Sequence, residues 1–276
     1  PSLPHDPIQA PSRALLLWGG KDGEARTAGS IKTEEYLRRA GVPTDVVDIV
    51  NDKVTHDLTL DVNVGRVERD LLRGVYGAVG MAPVCSSLSR LLHPKVRDSD
   101  YLWGLPIEDL PGRVGRRTGH AYLDHHNTLL RAFFRLLRAA ARAHELYGTG
   151  IWVENPADAQ PRLLPGSGGP NRFYDRRARR SASLFRFPEF RETTHGLDGR
   201  VHILLQCPLG SRFWKPTWIY ATRRMGTVML PLEALPCSCA AGTHLPARGR
   251  DADGTSLSRL SQEYGPGLYR ALAEGM

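Results

Sequence analysis

The chain has 276 residues, and its 37 lysine and arginine residues outnumber 29 aspartate and glutamate residues, giving a formal charge of +8 at neutral pH. An apolar fraction of 41% is enough for a sizeable core and excludes an intrinsically disordered chain. No apolar run approaches the roughly 18 residues that a membrane-spanning helix needs, so we predict a soluble protein with no membrane partner.

Arginine carries most of the positive charge, since only five of the cationic residues are lysine. The planar guanidinium group forms paired hydrogen bonds with phosphates and with guanine edges, so this composition favours a nucleic-acid partner. A GC-rich genome also favours arginine codons and would produce the same composition without a function. Both explanations stay open at this point.

Cysteine usage indicates a reducing compartment. The four cysteines, Cys85, Cys207, Cys237 and Cys239, are few for a secreted disulfide scaffold, and the last two are too close for an ordinary bridge. We therefore predict an intracellular protein, nuclear if its source is eukaryotic, whose thiols serve catalysis or metal binding.

The first part of the chain predicts a βαβ unit. Residues 1–12 are rich in proline and predict a flexible arm. An apolar strand at 13–18 leads into a glycine turn at 19–23, which is followed by a helix at 29–40 and a β-branched strand at 44–50. Such a succession within a short stretch is typical of a parallel sheet.

The alternation of helices and strands continues along the chain. A helix is predicted at 64–72, a buried strand at 74–82, a long amphipathic helix at 127–147 and a short strand at 151–153. We therefore predict an α/β core with a parallel sheet over residues 13–156.

The composition changes after this core. Residues 157–200 are rich in proline, glycine and arginine and predict a flexible basic insert, and residues 201–276 predict a small irregular or β region that completes the sheet. The insert contains four candidate phosphate contacts, Arg176, Arg177, Arg179 and Arg180. A run of charges is equally typical of a solvated surface.

The first two candidate site features follow the first two strands. Ligands of parallel α/β sheets bind at the carboxyl ends of the strands. Trp18, Gly19 and Gly20 stand where the first strand ends, and Asp48 stands where the second ends. A glycine turn beside an acidic strand end is the minimal site for a nucleoside cofactor, although an ordinary tight turn explains the glycines as well.

Cys85 and Glu154 follow the third and fourth strands, so both are expected on the same edge of the sheet. A thiolate facing a carboxylate is a nucleophile with a proton-handling partner, whereas a cysteine alone is often a buried structural residue. We expect Ser86, Ser87 and Ser89 to cap a helix after the cysteine, whose N-terminus would lower the pKa of the thiol.

In chain order, the glycine turn, the acidic strand end, Pro83-Val84-Cys85-Ser86-Ser87 and Glu154-Asn155-Pro156 resemble the cytosine-5 DNA methyltransferase family. They are most similar to its short, divergent members in algal and protist genomes, often beside mobile elements. The resemblance implies a Rossmann-like sheet that binds S-adenosylmethionine (SAM), with DNA as partner. In that family the loop cysteine attacks cytosine C6, the Glu-Asn motif binds and activates the base, and C5 takes the methyl group from SAM.

The resemblance also implies roles for single residues. Cys85 would be the nucleophile, and Glu154 and Asn155 would bind the flipped base. The implied cofactor pocket consists of Trp18, Gly19, Gly20, Asp48 and Pro83, with Asp57 or Asp61 near the adenine. The implied DNA contacts are Ser87 and the four arginines of the insert.

The chain departs from the family pattern in several places. Val84 separates Pro83 from Cys85, Pro156 follows the Glu-Asn pair, and the Gln-Arg-x-Arg motif is missing, with Arg223-Arg224 as its nearest substitute. Two alternatives therefore stay open. One is a degenerate relative that binds nucleic acid or SAM without turnover, and the other is a SAM-dependent methyltransferase of another type.

The remaining cysteines suggest a metal. Cys237, Cys239 and the nearby His244, together with the more distant Cys207, would make a Cys3His zinc site. The Cys-x-Cys spacing is less usual than Cys-x-x-Cys, and ordinary reduced cysteines are the alternative.

Overall fold

A computed structural model describes residues 13–18, 29–83, 85–88, 94–156, 182–240, 242–245, 254, 257 and 264–276. The strands are β1 (Ala14–Leu17), β2 (Thr44–Val47), β3 (Ala78–Met81), β4 (Gly150–Pro156), β5 (Gly199–Leu205) and β6 (Pro216–Thr222). The helices are α1 (Gly29–Arg39), α2 (Asp61–Leu72), α3 (Gly119–Tyr147), α4 (Pro188–Thr194), α5 (Arg223–Gly226), α6 (Leu230–Glu233) and α7 (Pro266–Gly275).

One six-stranded sheet organises the molecule, with the strand order β2-β1-β3-β4-β6-β5. The first four strands in this order are mutually parallel, and β6 lies antiparallel between β4 and β5. The α/β fold with a Rossmann-like sheet, predicted from the sequence, is confirmed.

Alternating side chains of the short central strands build a core on each face of the sheet. In β1, Leu15 and Leu17 pack into the core that includes α2 and α3, whereas Ala14 and Leu16 pack into the core that includes α1 and α7. Both faces of a parallel sheet are covered in this way, which explains why the strand sequences are continuously apolar.

A close approach between two neighbouring strands requires glycine at position 80. Gly80 lies in the middle of β3, and a Cβ atom built there would overlap the indole ring of Trp152 and approach the side chain of Leu16. The large, fully buried Trp152 therefore fits into the sheet because its neighbour has no side chain.

The longest helix begins eight residues earlier than the sequence predicts. The Thr118 side chain accepts a hydrogen bond from the Ala121 backbone N–H at 3.2 Å and caps the first turn of α3. The first two turns, residues 119–126, contain mostly polar and small residues, so they lack the apolar stripe that reveals the rest of the helix.

The described residues include only some of the domains that the sequence predicts. The predicted arm, 1–12, and residues 157–181 of the predicted insert lie outside the described residues. The described part of the insert begins at Ala182 and packs on the sheet, since Leu184 and Phe187 are fully buried in the core that contains α3. Among the described residues, none of the helices combines the length and apolarity needed to cross a bilayer.

Replacing Gly80 tests this packing. Gly80→Ala is expected to lower the free energy of unfolding by about 1–3 kcal/mol, because the added methyl group must displace the Trp152 ring. Urea denaturation measures the change. Gly112→Ala is the matched control, since a Cβ atom there would meet nothing within 4 Å. Equal stability of the two variants would contradict the packing argument.

Candidate active site

The parallel register brings the ends of four strands to the same level. Leu17 pairs with Val47 on one side and with Met81 on the other, and Met81 pairs with Val153. The residues that follow these positions therefore lie along one edge of the sheet, and they include Trp18, Asp48 and Glu154. The candidate residues that the sequence places at strand ends are thus neighbours along the carboxyl edge.

Cys85 lies four residues beyond β3, in a turn closed by a hydrogen bond from the Leu88 N–H to the Cys85 carbonyl at 2.9 Å. The thiol interacts electrostatically with Glu154 and Lys215. Burial, and secondarily the negative charge of Glu154, raise the pKa of the Cys85 thiol to about 11, while Lys215 opposes the shift. The expectation of a lowered thiol pKa is wrong, because desolvation and a nearby carboxylate both disfavour the thiolate.

Glu154 is buried in β4, and two side chains from later segments compensate in part for the loss of water around its carboxylate. The Lys215 Nζ atom lies 3.9 Å from Oε1 of Glu154, and the Tyr264 hydroxyl donates a hydrogen bond to the carboxylate. Burial raises the pKa of Glu154, and both partners counteract the rise. The Oε1 atom has no hydrogen-bond partner within the described part of the chain.

Lys215 and Tyr264 also contact each other. The Lys215 ammonium group lies 5.2 Å from the centre of the Tyr264 ring, a cation–π arrangement that holds the charge beside Glu154. Burial raises the pKa of Tyr264 well above its usual value, so its hydroxyl stays protonated and remains a donor. We call Cys85, Glu154, Lys215 and Tyr264 the thiol–carboxylate cluster.

Asn155 does not join this cluster. Strand alternation turns its side chain to the opposite face from Glu154. Asn155 is buried, and its Nδ2 atom has no hydrogen-bond partner among the residues that the structure describes. The side chains of Glu154 and Asn155 therefore lie on opposite faces of β4, and only Glu154 belongs to the cluster.

Lys215 and Tyr264 are not among the site residues predicted from the sequence. Lys215 immediately precedes β6, and Tyr264 stands two residues before α7. The position of Lys215 directly before a strand was the one available sign that it could lie at an edge of the sheet. The sequence around Tyr264 contains no motif that would connect Tyr264 with Glu154. The substitute considered earlier, Arg223-Arg224, begins α5 at the other end of β6 and therefore lies away from this edge.

The cofactor residues predicted at the ends of β1 and β2 are also adjacent. The Trp18 N–H donates to the Val47 carbonyl at 2.9 Å, and Trp18 is the one non-glycine residue with a left-handed backbone, at a φ of 56°, within the described ranges. Asp48 is half-buried, and its Oδ1 atom accepts a hydrogen bond from the Val50 N–H. A carboxylate at this strand end fits the ribose of a nucleoside cofactor. Gly19 and Gly20 lie outside the described residues.

The other predicted cofactor residues differ in their surroundings. Asp57 accepts hydrogen bonds from the backbone N–H and hydroxyl of Thr59 in the turn before α2. Asp61 forms an ion pair with Arg135 of α3, so its carboxylate is used to join two helices. Pro83 is buried directly after β3, between the sheet and the cysteine turn.

Ser87, which the resemblance implies as a DNA contact, is buried with 2% of its surface exposed. A side chain in that position cannot reach a phosphate unless the turn moves, so the structure does not support this contact. The neighbouring Ser86 is more accessible and lies with its Oγ atom 3.4 Å from Nε2 of His126. Arg176, Arg177, Arg179 and Arg180 lie outside the described residues.

A buried arginine anchors the segment that follows the cysteine turn. Arg97 is fully buried and donates to the Leu102 carbonyl and to Oδ1 of Asn127, both at 2.9 Å. Asn127 in turn donates to the Trp103 carbonyl at 2.8 Å. Burial lowers the pKa of Arg97 to about 10. These bonds attach residues 97–103 to α3.

The four predicted metal ligands lie close together in the structure. The Sγ atoms of Cys207, Cys237 and Cys239 and a ring nitrogen of His244 all lie within 4.8 Å of one another. No other group of three or more histidine, cysteine or acidic side chains with this geometry occurs in the part of the chain that the structure describes.

No protein-family model matches the chain, and no curated protein matches it. Among solved structures, the chain is similar to the Dnmt2 methyltransferase of S. pombe, with 15% identity over 76% of this chain and 49% of that one and a TM-score of 0.34. It is also similar to a triple mutant of Spodoptera frugiperda DNMT2, with 13% identity over 76% and 50% of the two chains and a TM-score of 0.32. The chain thus spans about half the length of these two proteins.

Alkylation of Cys85 tests the electrostatics of the cluster. At about pH 9 we expect Cys85 to react with iodoacetamide more slowly than N-acetylcysteine free in solution, because burial and the charge of Glu154 raise the pKa of Cys85 to about 11. Glu154→Gln removes a negative charge and should accelerate the reaction several-fold, whereas Lys215→Met should slow it. Mass spectrometry of the Cys85 peptide measures the rates.

Glu108→Gln and Lys53→Met are the matched controls, since both side chains are exposed and belong to other parts of the surface. They should leave the alkylation of Cys85 unchanged. If Glu154→Gln and Lys215→Met shifted the rate in the same direction, the opposing effects of the two charges would be refuted.

Proposed function

We propose that this protein methylates cytosine at C5 in DNA, using SAM as methyl donor, Cys85 as nucleophile and Glu154 as the group that activates the base. One observation carries the proposal: a thiol and a buried carboxyl group meet at the carboxyl edge of a parallel sheet, beside a lysine. The resemblance to the cytosine-5 methyltransferase family, based on motifs containing these same two residues, supports it.

The thiol needs activation, because a pKa of about 11 leaves roughly one molecule in ten thousand as thiolate at pH 7. Glu154 is the nearby group that can change this. Transfer of the thiol proton to Glu154 converts Cys85 to the nucleophilic thiolate and removes the negative charge that opposed its ionisation. The reactive form is therefore a thiolate beside a carboxylic acid.

The same proton then serves the base. The thiolate forms a bond with C6 of cytosine, and the protonated Glu154 donates its proton to N3, so that the electron pair displaced from the ring becomes available at C5. SAM, when bound, supplies an electrophilic methyl group to this carbon. Removal of the C5 proton by a base and cleavage of the C6–sulfur bond restore the aromatic ring, while the N3 proton returns to Glu154 and from there to the sulfur, so that the free cysteine is regenerated.

Lys215 contributes a positive charge that favours either ionised form of the pair. Its ammonium group lies beside Glu154 in the resting protein and interacts with the Cys85 thiol as well. The charge can therefore stabilise the carboxylate before proton transfer and the thiolate after it. Tyr264 holds the ammonium group through its ring and the carboxylate through its hydroxyl.

The cofactor would lie at the ends of β1 and β2, next to the cluster at the ends of β3 and β4. Trp18 and Asp48 would contact its nucleoside half, with the carboxylate of Asp48 binding ribose hydroxyl groups. This order along the edge places a methyl donor beside the reacting base. The net charge of +8 supports a polyanionic substrate, from which the target base must be flipped at a cost of a few kcal/mol.

Covalent trapping tests the proposal. Incubation with SAM and DNA that contains 5-fluorocytosine should yield a covalent protein–DNA adduct, because fluorine at C5 cannot be removed as a proton. Cys85→Ala should abolish the adduct, and Glu154→Gln should reduce its rate by about 10²–10⁴-fold because the proton donor is lost. Denaturing electrophoresis detects the adduct, and Glu108→Gln serves as the exposed control.

The other outcomes discriminate between the alternatives. Methyl transfer that survives Cys85→Ala would indicate a methyltransferase of another type. Binding of SAM without any adduct, across DNA substrates of several sequences, would indicate a degenerate relative that no longer turns over.

A further inference from the structure

Three cysteines and a histidine from distant parts of the chain share one small volume. Cys207 begins a short 3-10 turn after β5, whereas Cys237, Cys239 and His244 follow α6. The Cys237 Sγ and His244 Nε2 atoms are 3.5 Å apart, and all four ligand atoms lie within 4.8 Å of one another. A tetrahedral zinc ion with its usual bond lengths needs ligand atoms about 3.5–3.8 Å apart, so a small contraction completes the site.

Within the described part of the chain, the segment that carries three of these ligands makes few other contacts. Residues 234–240 and 242–245 have no regular secondary structure and are mostly exposed, with Cys237, His244 and Leu245 partly buried. The Leu245 N–H donates to the Arg212 carbonyl at 3.0 Å, and Thr243 bonds to Ala240 within the segment. Such a small buried apolar surface does not order a segment of this length, whereas a metal ion does.

We infer that Cys207, Cys237, Cys239 and His244 bind one structural zinc ion. Three thiolates and an imidazole are soft and borderline ligands that select zinc over magnesium or calcium. Four protein ligands leave no open position for water or substrate, which is the arrangement of a structural and not a catalytic site. The remaining cysteine of the sequence, Cys85, belongs to the thiol–carboxylate cluster instead.

The zinc ion would fix the connection between β5 and β6, which contributes one residue to the zinc site and one to the thiol–carboxylate cluster. Cys207 lies at one end of this connection and Lys215 at the other. The fully buried Gln206 joins the two ends, because its N–H donates to the Lys215 carbonyl at 3.2 Å and its side chain donates to the Thr217 hydroxyl at 2.6 Å. A metal on Cys207 would therefore help to hold Lys215 beside Glu154, a consequence that rests on the proposed function.

Metal analysis of the purified full chain tests the zinc site without DNA or SAM. Inductively coupled plasma mass spectrometry should find about one zinc per chain in protein prepared without chelators. Cys237→Ser and Cys239→Ser should each reduce the zinc content at least about tenfold, whereas Cys85→Ser should keep it unchanged. Substitution of cobalt for zinc should add thiolate-to-metal charge-transfer absorption, and this absorption should be lost or strongly reduced in Cys237→Ser and Cys239→Ser.

The wild-type protein decides the question even if the variants fold poorly. A folded chain that contains no metal and four titratable thiols would overturn the inference, and so would iron or copper in place of zinc or a disulfide within the cluster. These results do not depend on methyl transfer, so the zinc site and the proposed function can fail separately.

The link to Lys215 has its own measurement. Removal of zinc by a chelator should slow the alkylation of Cys85 in the wild-type protein, because Lys215 favours the thiolate and would lose its position. The same treatment should change the rate little in Lys215→Met. An equal effect in both proteins would show that the zinc site does not act through Lys215.

Discussion

The carboxylate of Glu154 lies in the sheet at the end of a central strand, where burial disfavours its charge. An isolated carboxylate in such a place is unstable, so the surrounding chain must supply a cation or a hydrogen-bond donor. Lys215 and Tyr264 supply one of each. Three segments that are distant in the sequence therefore meet at this point: β4, the connection into β6, and the start of α7.

This requirement gives a physical role to the antiparallel strand of the sheet. Because β6 runs against β4, its first residue pairs near the last residues of β4, and Lys215 is delivered to the carboxyl edge. If this strand ran parallel to β4, its first residue would lie at the opposite edge of the sheet. That opposite edge is where β6 ends and where Arg223-Arg224 follow it. The hairpin of β5 and β6 thus brings a cation to an edge otherwise formed by the ends of parallel strands.

The same environment keeps the Cys85 thiol protonated in the resting protein. Burial and the nearby carboxylate both act against ionisation, and the lysine compensates only in part. In the proposed mechanism this is an advantage, because the thiol becomes nucleophilic only when its proton moves to Glu154, where the bound base uses it. A permanently ionised thiol would be open to oxidation and alkylation in the absence of substrate.

The sequence by itself determined the class of fold and the edge at which the chemistry lies. Apolar strands alternating with amphipathic helices predicted a parallel sheet, and in such a sheet the residues after each strand share an edge, so Asp48, Cys85 and Glu154 could be placed there from local patterns alone. The spacing of the other cysteines and His244 likewise predicted a cluster that the structure brings together.

Only the tertiary structure decided the partners of Glu154 and the direction of the Cys85 pKa. Both depend on desolvation and on charges contributed by segments far apart in the chain, and no local pattern encodes either quantity. The first turns of α3 and the position of α7 were missed for a related reason, since short polar or irregular stretches become ordered only by packing against the rest of the fold.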